Sequence, residues 1–370
     1  MRALPTRRLC LCGVWQATRA INDLMPRLLA ELNGVEVLGA NIAAVHFLCT
    51  QSGDMLVSLI YASPLPQPEW RAAAERLRST LGVPALLGRA KGTCEVLGRD
   101  WVTERLRLAD GRTLTYRQME GSFSNPSAQM CEHTLNFLCA AAADCNASLA
   151  RRRRADGSVG STVDGASPLP KPNLLELYSG NGNHTVALAP LFGRVLTVEI
   201  DRRLCDAAAV NLEQNGISNA CVLCAPSAKF CDRLLRRLRR PAEASLRAPT
   251  TATAAVQPSA PSAAAAATTA PCVANAPTPP ESAEAAWLRE ARRCEVILVD
   301  PPRCGLDDTT RALVEQYEHV LYVSCNPVDA LREDLKRLGE AYEVRRFAVF
   351  DHFAYTPHIE CAVQLSRRSR

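Results

Sequence analysis

The sequence contains no apolar run long enough to cross a bilayer and no apolar segment of the kind found in signal peptides. These absences argue against a membrane-spanning protein and against a secreted one. Its 16 cysteines are scattered over 370 residues, which argues against a small disulfide scaffold. We therefore expect a reducing compartment, mostly inert thiols and no membrane partner.

Ligand spacings for metals are missing as well. Cys221 and Cys224 form a single C-x-x-C, and no second pair stands at zinc-site spacing. The N-terminal cysteines are too dispersed for an iron–sulfur ligand run (Cys10, Cys12, Cys49 and Cys94). We predict no metal site and no metal cluster.

Acidic residues are absent from the first 20 positions, which contain four arginines. Such a start is typical of a mitochondrial presequence, and a truncated chain end explains it equally well. We predict a cytoplasmic protein, with a mitochondrial one as the alternative. The formal net charge of +5 is a mild bias toward a polyanionic partner.

Charged residues are also absent from positions 248–280, which consist mainly of alanine, proline and threonine. Residues 151–169 begin with an arginine block and continue in glycine, serine and aspartate. Neither stretch has enough large apolar side chains to offset the conformational entropy of folding. We predict that 151–169 and the wider segment 235–288 are low-complexity insertions, and that the arginine block could contact phosphates.

The remaining sequence indicates two α/β domains, at residues 1–120 and 121–370. The first contains a probable hairpin around "QSGD" and a helix, "EWRAAAERLRSTLG", that ends at glycine. In the second, apolar strands alternate with helices from residue 173 onward: "LLELY", "VLTVEI", "ACVLCA", "VILVD" and "VLYVSC". This alternation predicts a mainly parallel, doubly wound, Rossmann-like sheet, which the last two strands close with an antiparallel edge.

A glycine-containing turn follows the first of these strands and precedes a helix. Gly180 and Gly182 would let the backbone approach a ligand closely. Glu199 ends the next strand, 19 residues after Gly180, where an acid can reach ribose hydroxyls. The turn is not a dinucleotide G-x-G-x-x-G and has no P-loop lysine, so an adenosine-type cofactor without a pyrophosphate fits best.

Two further strands end in polar residues that would meet on the same rim. Asp300 begins the stiff turn Asp-Pro-Pro-Arg, from which Arg303 can contact a base edge or a phosphate. Cys325 and Asn326 follow the next strand. Because open α/β sheets bind ligands beyond the carboxyl ends of their strands, we assign Arg303 and Asn326 to substrate binding.

Four motifs in this order, "LLELYSGNGN", "VDPPRCGL", "YVSCNP" and "HIEC", resemble those of uracil-5 RNA methyltransferases, most closely the tRNA (uracil-5-)-methyltransferases. The resemblance covers residues 20–367 apart from the two low-complexity stretches. It implies S-adenosyl-L-methionine as methyl donor, the T-loop uridine of tRNA as target and an RNA-binding role for the first domain. We expect the protein to act as a monomer.

The resemblance also implies roles for individual residues. Carbon 5 of uracil is a poor nucleophile until a thiolate adds to carbon 6, and a base must later remove the carbon-5 proton. Cys325 resembles the family's nucleophile and Glu360 its base. The cofactor positions carry over to Tyr178, Asn183, Glu199 and Asp300.

The chain departs from the family pattern at three places. Asn125 stands where the family has a glutamine that contacts the cofactor, and Gln129 is the alternative amide. Cys304 replaces a common serine and is a second candidate thiol. The sequence also begins inside the family's N-terminal domain, without an early strand that is expected to help hold RNA.

Three functions remain open at this point. The first is uracil-5 methylation of tRNA. The second is the same chemistry on ribosomal or messenger RNA. The third is a non-catalytic tRNA-binding or tRNA-folding protein, although such a protein has no need of both Cys325 and Glu360.

Overall fold

The computed structural model describes Val14 and residues 17–156, 169–239, 273–274 and 281–368. The chain divides into two compact units, Met1–His133 with Phe350–Ile359, and Thr134–Val349 with Glu360–Arg370. The boundary therefore lies after His133, later than the residue 120 expected from the sequence. The segment Phe350–Ile359 returns to the N-terminal unit, which no sequence pattern indicated.

The N-terminal unit contains a four-stranded sheet in the order β1-β2-β3-β4 and a two-stranded sheet of β5 and β6. Its elements are α1 Arg19–Gly34, α2 Glu36–Gly39, β1 Ile42–Cys49, β2 Met55–Tyr61, α3 Glu69–Leu81, β3 Ala85–Ala90, β4 Thr93–Leu97, β5 Trp101–Arg107 and β6 Thr113–Met119. The expected hairpin is confirmed, because β1 and β2 pair antiparallel. The expected helix end is confirmed as well, since Gly82 follows α3 with a φ of 68°.

The core of this unit is built around Trp70 of α3, which is fully buried. Its indole Nε1 donates to the hydroxyl of Tyr61 across 2.9 Å, and that hydroxyl donates to the carbonyl of Leu38 across 2.8 Å. A Cβ atom at Gly88 would lie 2.3 Å from the indole ring, so only glycine lets β3 approach the helix this closely.

The C-terminal unit contains an eight-stranded sheet in the order β10-β9-β8-β7-β11-β12-β14-β13. Its elements are α4 Ala128–Ala155, which begins in the N-terminal unit, then β7 Asn173–Leu177, α5 Asn183–Leu188, β8 Val195–Glu199, α6 Arg202–Gln214, β9 Ala220–Cys224, α7 Ser227–Arg239, β10 Val273–Ala274, α8 Glu281–Ala291, β11 Cys294–Val299, α9 Asp308–Val314, β12 His319–Ser324, α10 Arg332–Leu338, β13 Tyr342–Phe350 and β14 Glu360–Arg367.

The sheet has the doubly wound, mainly parallel form that the alternating pattern predicts. Strands β10, β9, β8, β7, β11 and β12 are parallel neighbours. Strand β14 pairs antiparallel with β12, and β13 lies outside it at the edge. The two last strands thus close the sheet as expected. The later strand, β14, lies between β12 and β13, so the earlier strand, β13, forms the edge.

Parts of the predicted low-complexity segments are regular structure, which corrects that expectation. Arg151–Ala155 form the last turns of α4, because alanine and arginine are strong helix formers and continue the preceding pattern. Within the segment 235–288, the end of α7 and the start of α8 are helical, and Val273–Ala274 pair with Val222 and Leu223 of β9. The other residues of these segments lie outside the described part of the chain. Among the described helices, none has the length and apolarity needed to cross a membrane.

Candidate active site

The carboxyl ends of β7, β8, β11 and β12 lie along one edge of the sheet. Leu177 of β7 is paired with Val198 of β8 on one side and with Val299 of β11 on the other. The residues that directly follow these strands are therefore neighbours on one rim, as the sequence predicts. This rim carries Tyr178, Glu199, Asp300 and Cys325.

The turn after β7 has a backbone that ordinary residues rarely adopt. Tyr178 has a φ of 63°, which is strained for a bulky side chain, and Gly180 and Gly182 have φ values of 57° and 78°. A Cβ atom at Gly182 would lie 3.3 Å from the Cβ of Ala208, so this glycine also permits close packing on α6. The side-chain amide of Asn211, on α6, donates to the carbonyl of Asn181 across 2.9 Å and so fixes the turn to this helix.

Glu199 connects this turn to the end of β8. Its Oε2 accepts from the backbone N–H of Gly180 across 2.8 Å, and its Oε1 accepts from Ile200 and Asp201, each across 2.8 Å. A carboxylate has about four acceptor sites, so roughly one remains for a ligand. Glu199 therefore shapes the turn first and can offer a single further hydrogen bond.

An open cavity of about 470 Å³ lies above this rim. Its walls come from the ends of four strands, β7, β8, β9 and β11. The lining residues are Tyr178, Glu199, Ile200, Pro226, Ser227, Ala228, Pro302, Cys304, Gly305, Leu306 and Asp307. The side chain of Ile200 is 65% exposed, which leaves an apolar surface next to an acid. The volume is within the range of small-molecule sites, and apolar and polar walls together suit a nucleoside.

The hydroxyl of Tyr178 lies against the start of α9. It lies 3.4 Å from Oδ2 of Asp307 and 3.3 Å from the hydroxyl of Thr310. Burial raises the pKa of Tyr178 to about 12. The phenol is thus neutral, and the ring serves as a wall of the cavity.

The residues present fit an S-adenosyl-L-methionine-type ligand. Ser179 is buried, and its hydroxyl has no hydrogen-bond partner within the described part of the chain, so a polar group of a ligand could satisfy it. Glu199 offers an acceptor for a ribose hydroxyl. Asn183, which begins α5, and Gly180 belong to the same turn, although they do not line the cavity itself.

Cys325 and Glu360 come together through the pairing of two antiparallel strands. Ser324 of β12 pairs with Cys361 of β14. Continuing this register by one residue places Cys325 opposite Glu360, and directly opposite residues in a sheet project to the same face. The structure therefore brings together the thiol and the carboxyl group that the sequence singled out, across a gap of 35 positions in the chain.

The environments of these two groups shift their protonation in the same direction. Burial raises the pKa of Glu360 to about 7. Burial also raises the pKa of the Cys325 thiol, the charge of Asp300 adds to this rise, and the guanidinium of Arg303 beside the thiol opposes it. A carboxyl group with a pKa near 7 is well matched to accept a proton at neutral pH.

Two further acids lie near the site, Asp300 on the rim and Glu176 buried within β7. Burial raises the pKa of Asp300 well above its ordinary range, and the charges of Glu360 and Glu176 add to the effect. Burial raises the pKa of Glu176 to about 8, although the hydroxyl of Thr185 donates to it across 2.5 Å. With a pKa of about 8, Glu176 is largely protonated at neutral pH. A positively charged methyl donor beside Asp300 would favour the ionised form of that carboxyl group.

The loop after β11 carries Arg303 and Cys304 and is tied to the thiol-bearing turn. The amide Nδ2 of Asn326 donates to the carbonyl of Arg303 across 3.0 Å. Asn326, predicted to bind substrate, thus holds the Arg303 loop in the structure. Cys304 is exposed and lines the cavity, whereas Cys325 is half-buried and lies opposite Glu360.

Asn125 lies in the N-terminal unit, where its Nδ2 donates to Sγ of Cys131 across 3.1 Å. Its assignment to the cofactor stays a prediction. Sequence reasoning missed Pro226, Ser227 and Asp307, which also line the cavity. Applying the strand-end rule to β9 would have found the first two, and Asp307 could have been noticed as the cap of α9, since it accepts from the N–H of Thr310 across 3.0 Å.

Comparisons with known proteins show the family and the fold of the chain. The sequence model of the family described as tRNA (Uracil-5-)-methyltransferase matches residues 6–152, 165–264 and 288–368. A tRNA/tmRNA (uracil-C(5))-methyltransferase of Acinetobacter baumannii (strain AYE) is 35% identical over 356 residues, covering 95% of this chain and 78% of the relative. A protein of the same name from Stutzerimonas stutzeri (strain A1501) is 34% identical over 354 residues, with the same two coverages.

Among solved structures, the Pyrococcus abyssi tRNA (uracil-54, C5)-methyltransferase in complex with S-adenosyl-L-homocysteine has a TM-score of 0.55 and 16% identity. The match covers 94% of this chain and 66% of that one, slightly under two thirds of its length. At this identity the likeness shows the fold, which agrees with the predicted Rossmann-like methyltransferase sheet. Since a family model matches most of the chain and relatives exceed 30% identity over 95% of it, the chain belongs to the tRNA (uracil-5-)-methyltransferase family, whose enzyme class and methyl donor, S-adenosyl-L-methionine, are those that the sequence predicts.

Proposed function

We propose that this protein transfers a methyl group from S-adenosyl-L-methionine to carbon 5 of a uridine in tRNA, with the T-loop uridine as target and Cys325 as covalent nucleophile. The observation that supports the proposal is the register of β12 and β14, in which Ser324 pairs with Cys361. Continued by one residue, this register sets Cys325 opposite Glu360. A nucleophile and a base on one face are what the reaction requires. The curated relatives are named for tRNA and tmRNA, and we extend the proposal to the tRNA-like part of tmRNA.

The reaction would begin with the thiolate of Cys325. Its sulfur forms a bond to carbon 6 of the uracil, and the electrons of the carbon 5–carbon 6 double bond move onto the ring carbonyl as an enolate. Arg303 favours the thiolate, because its positive charge opposes the rise in the thiol pKa. S-Adenosyl-L-methionine, when bound, supplies an electrophilic methyl group to carbon 5.

Glu360 would complete the reaction by accepting the carbon-5 proton. The carbon 5–carbon 6 double bond then re-forms, and the sulfur of Cys325 leaves as thiolate. A carboxylate with a pKa of about 7 is a stronger base than an ordinary glutamate and is still largely ionised slightly above neutral pH.

The test is methyl transfer from radiolabelled S-adenosyl-L-methionine by the purified full-length chain. Substrates are unmodified tRNA, the same tRNA with its T-loop uridine replaced by cytidine, and ribosomal and messenger RNA fragments. We expect label in 5-methyluridine from the first substrate only. Label in ribosomal or messenger RNA alone would show that one of these RNAs, and not tRNA, is the substrate. Binding of tRNA without label in any substrate would favour the non-catalytic alternative.

A further inference from the structure

The buried acid Asp334 has no part in the proposed chemistry, yet it is among the most heavily hydrogen-bonded side chains near the site. It lies on α10 and is 2% exposed. Its Oδ1 accepts from Nε of Arg311 across 3.0 Å and from Nη2 across 2.8 Å. Its Oδ2 accepts from the hydroxyl of Tyr322 across 2.7 Å and from the backbone N–H of Leu306 across 3.0 Å. All four acceptor sites are thus in use.

Two of these donors hold the loop that walls the cofactor cavity. Leu306 belongs to the run of lining residues that also includes Pro302 and Cys304. Its N–H is bound by Asp334, and its carbonyl accepts from Nη2 of Arg311 across 2.7 Å. Both backbone groups of one residue in the cavity wall are therefore fixed by the same buried ion pair.

The loop after β11 packs closely against Asp334 at Gly305, where no larger residue fits. Gly305 has a φ of 80°, and a Cβ atom there would lie 2.9 Å from Oδ2 of Asp334 and 3.2 Å from the Cβ of Ala330. Any side chain at this position would be strained and would push the loop off the carboxylate. The glycine and the acid thus depend on each other.

The same helix region follows directly from the thiol-bearing turn. Tyr322, which donates to Asp334, lies three positions before Cys325 on β12. The turn itself is joined to the helix, because the N–H of Leu331 donates to the carbonyl of Asn326 across 3.1 Å. Asn326 in turn holds the carbonyl of Arg303. The cavity wall and the nucleophile are thus connected by two short routes, one through Asp334 and one through Asn326.

We propose that Asp334 is a positioning residue that couples the wall of the S-adenosyl-L-methionine cavity to the thiol of Cys325. It touches neither group. Through its hydrogen bonds to Leu306 and Tyr322 it keeps the loop after β11 at a fixed distance from β12. The Arg303 guanidinium, which that loop carries, therefore stays beside the thiol. The identities of cofactor and nucleophile in this inference rest on the proposed function.

The decisive variant is Asp334→Asn, which keeps the size of the side chain and places a donor where all neighbours donate. Two quantities are measured on the full-length protein: the affinity for S-adenosyl-L-methionine by calorimetry, and the pH dependence of iodoacetamide alkylation at Cys325, resolved by peptide mass spectrometry. We expect affinity to fall about tenfold or more, as for the loss of a buried charged hydrogen-bond acceptor. We expect the alkylation midpoint to move to higher pH, since Arg303 no longer opposes Asp300 and Glu360 at the thiol.

Two further variants keep the test decisive if Asp334→Asn does not fold. Gly305→Ala perturbs the same contact from the loop and should reproduce both changes. Tyr322→Phe removes one of four donors and should give smaller changes of the same sign. Wild-type affinity and a wild-type alkylation profile in these variants would overturn the coupling.

The matched control is Glu120→Gln in the N-terminal unit. Glu120 is also a buried carboxylate, 4% exposed, that accepts from a hydroxyl, Ser58, across 2.9 Å and pairs with an arginine, Arg89. Its loss should lower the melting temperature to a similar extent and leave both readouts unchanged. If Asp334→Asn resembles this control, its role is only structural. If the wild-type protein does not bind S-adenosyl-L-methionine, the proposed function fails, while the alkylation profile still tests the link to Cys325.

Discussion

Glu199 accepts a hydrogen bond from the backbone N–H of Gly180 across 2.8 Å, so the acid that ends β8 holds the turn that follows β7. The sequence predicts Glu199 as a ribose ligand, and the structure shows that it also holds the backbone of this turn. Because three of about four acceptor sites are already used, the carboxylate can take one ribose hydroxyl without releasing the turn.

Glu199→Ala should therefore weaken S-adenosyl-L-methionine binding by about 1.5–3 kcal/mol, roughly ten- to a hundredfold, because a charged acceptor is lost and the turn is loosened. Calorimetry measures the affinity. The control is Asp201→Ala, two positions along, which removes the cap of α6 that accepts from the N–H of Arg203 across 2.8 Å. That change should lower stability by about 1 kcal/mol and leave the affinity unchanged. Equal affinities of wild type and Glu199→Ala would remove Glu199 from the cofactor site.

Replacement of the two candidate thiols, Cys304 and Cys325, should have opposite effects on the formation of a covalent protein–RNA complex. With tRNA that carries 5-fluorouridine at the target, the adduct cannot resolve, because carbon 5 bears fluorine instead of a removable proton. Cys304→Ala should still form a protein–RNA complex that survives denaturing electrophoresis, since Cys304 lies in the cofactor cavity. Cys325→Ala should form none and should not turn over. Crosslinking by Cys325→Ala would transfer the nucleophile's role to Cys304.

Glu360→Gln should separate addition from resolution. The amide keeps the shape of the side chain and cannot accept the carbon-5 proton, so turnover should fall about 10²- to 10⁴-fold. The covalent adduct should accumulate on ordinary tRNA, as seen on a denaturing gel. A variant that turns over at the wild-type rate would show that the base lies elsewhere on the rim.

The pH profile of the wild-type enzyme follows from the same carboxyl group. Glu360 must be ionised to accept a proton, and its pKa is about 7. Single-turnover rates of adduct resolution should therefore rise with pH through about 7 and level off above it. A profile that levels off near pH 5, where an ordinary glutamate titrates, would contradict the buried environment of Glu360.

Glu176 predicts how stability depends on pH. Its pKa is about 8 in the folded protein and that of an ordinary glutamate when unfolded, so the folded state binds the proton more tightly. The contribution of this proton to the free energy of unfolding is fully present at low pH. It is lost between the ordinary pKa of glutamate and pH 8, by roughly 1.4 kcal/mol for each pH unit. Relative to wild type, Glu176→Gln should gain stability between pH 5 and 8 in urea titrations. Glu213→Gln, an exposed change on α6, is the control variant measured in the same titrations.

The sequence was sufficient to predict the parts of the site that follow from strand ends. Glu199 ends a short apolar strand, and Tyr178, Asp300 and Cys325 each follow one directly. Parallel strands place such residues on one rim. Glu360 required the family resemblance, because a lone acid at the start of a strand has no distinctive local signal. Its position opposite Cys325 depends on β14 entering the sheet next to β12, which is a matter of long-range pairing.

The contacts that fix the loops could not be predicted for a similar reason. Asp334 reads as an ordinary acid in the first turn of a charged helix, and Asn326 as a turn residue. Their partners, Leu306 and Arg303, are more than 20 positions away in the chain. The return of Phe350–Ile359 to the N-terminal unit is likewise invisible to local patterns, because composition does not change there.

The pairing of β12 with β14 has a consequence for how freely this sequence can vary. The register that sets the thiol opposite the base is fixed by main-chain hydrogen bonds, so those loops of the connecting stretch that make no contact with the site can change in length or composition without moving either group. The pairing itself has no such freedom. A slip of one residue would turn Glu360 to the other side of the sheet and leave Cys325 facing the neighbouring Cys361 or Ile359. Insertions in such loops should therefore be tolerated in natural variants, whereas a single-residue deletion inside β14 should abolish proton removal while much of the sheet persists.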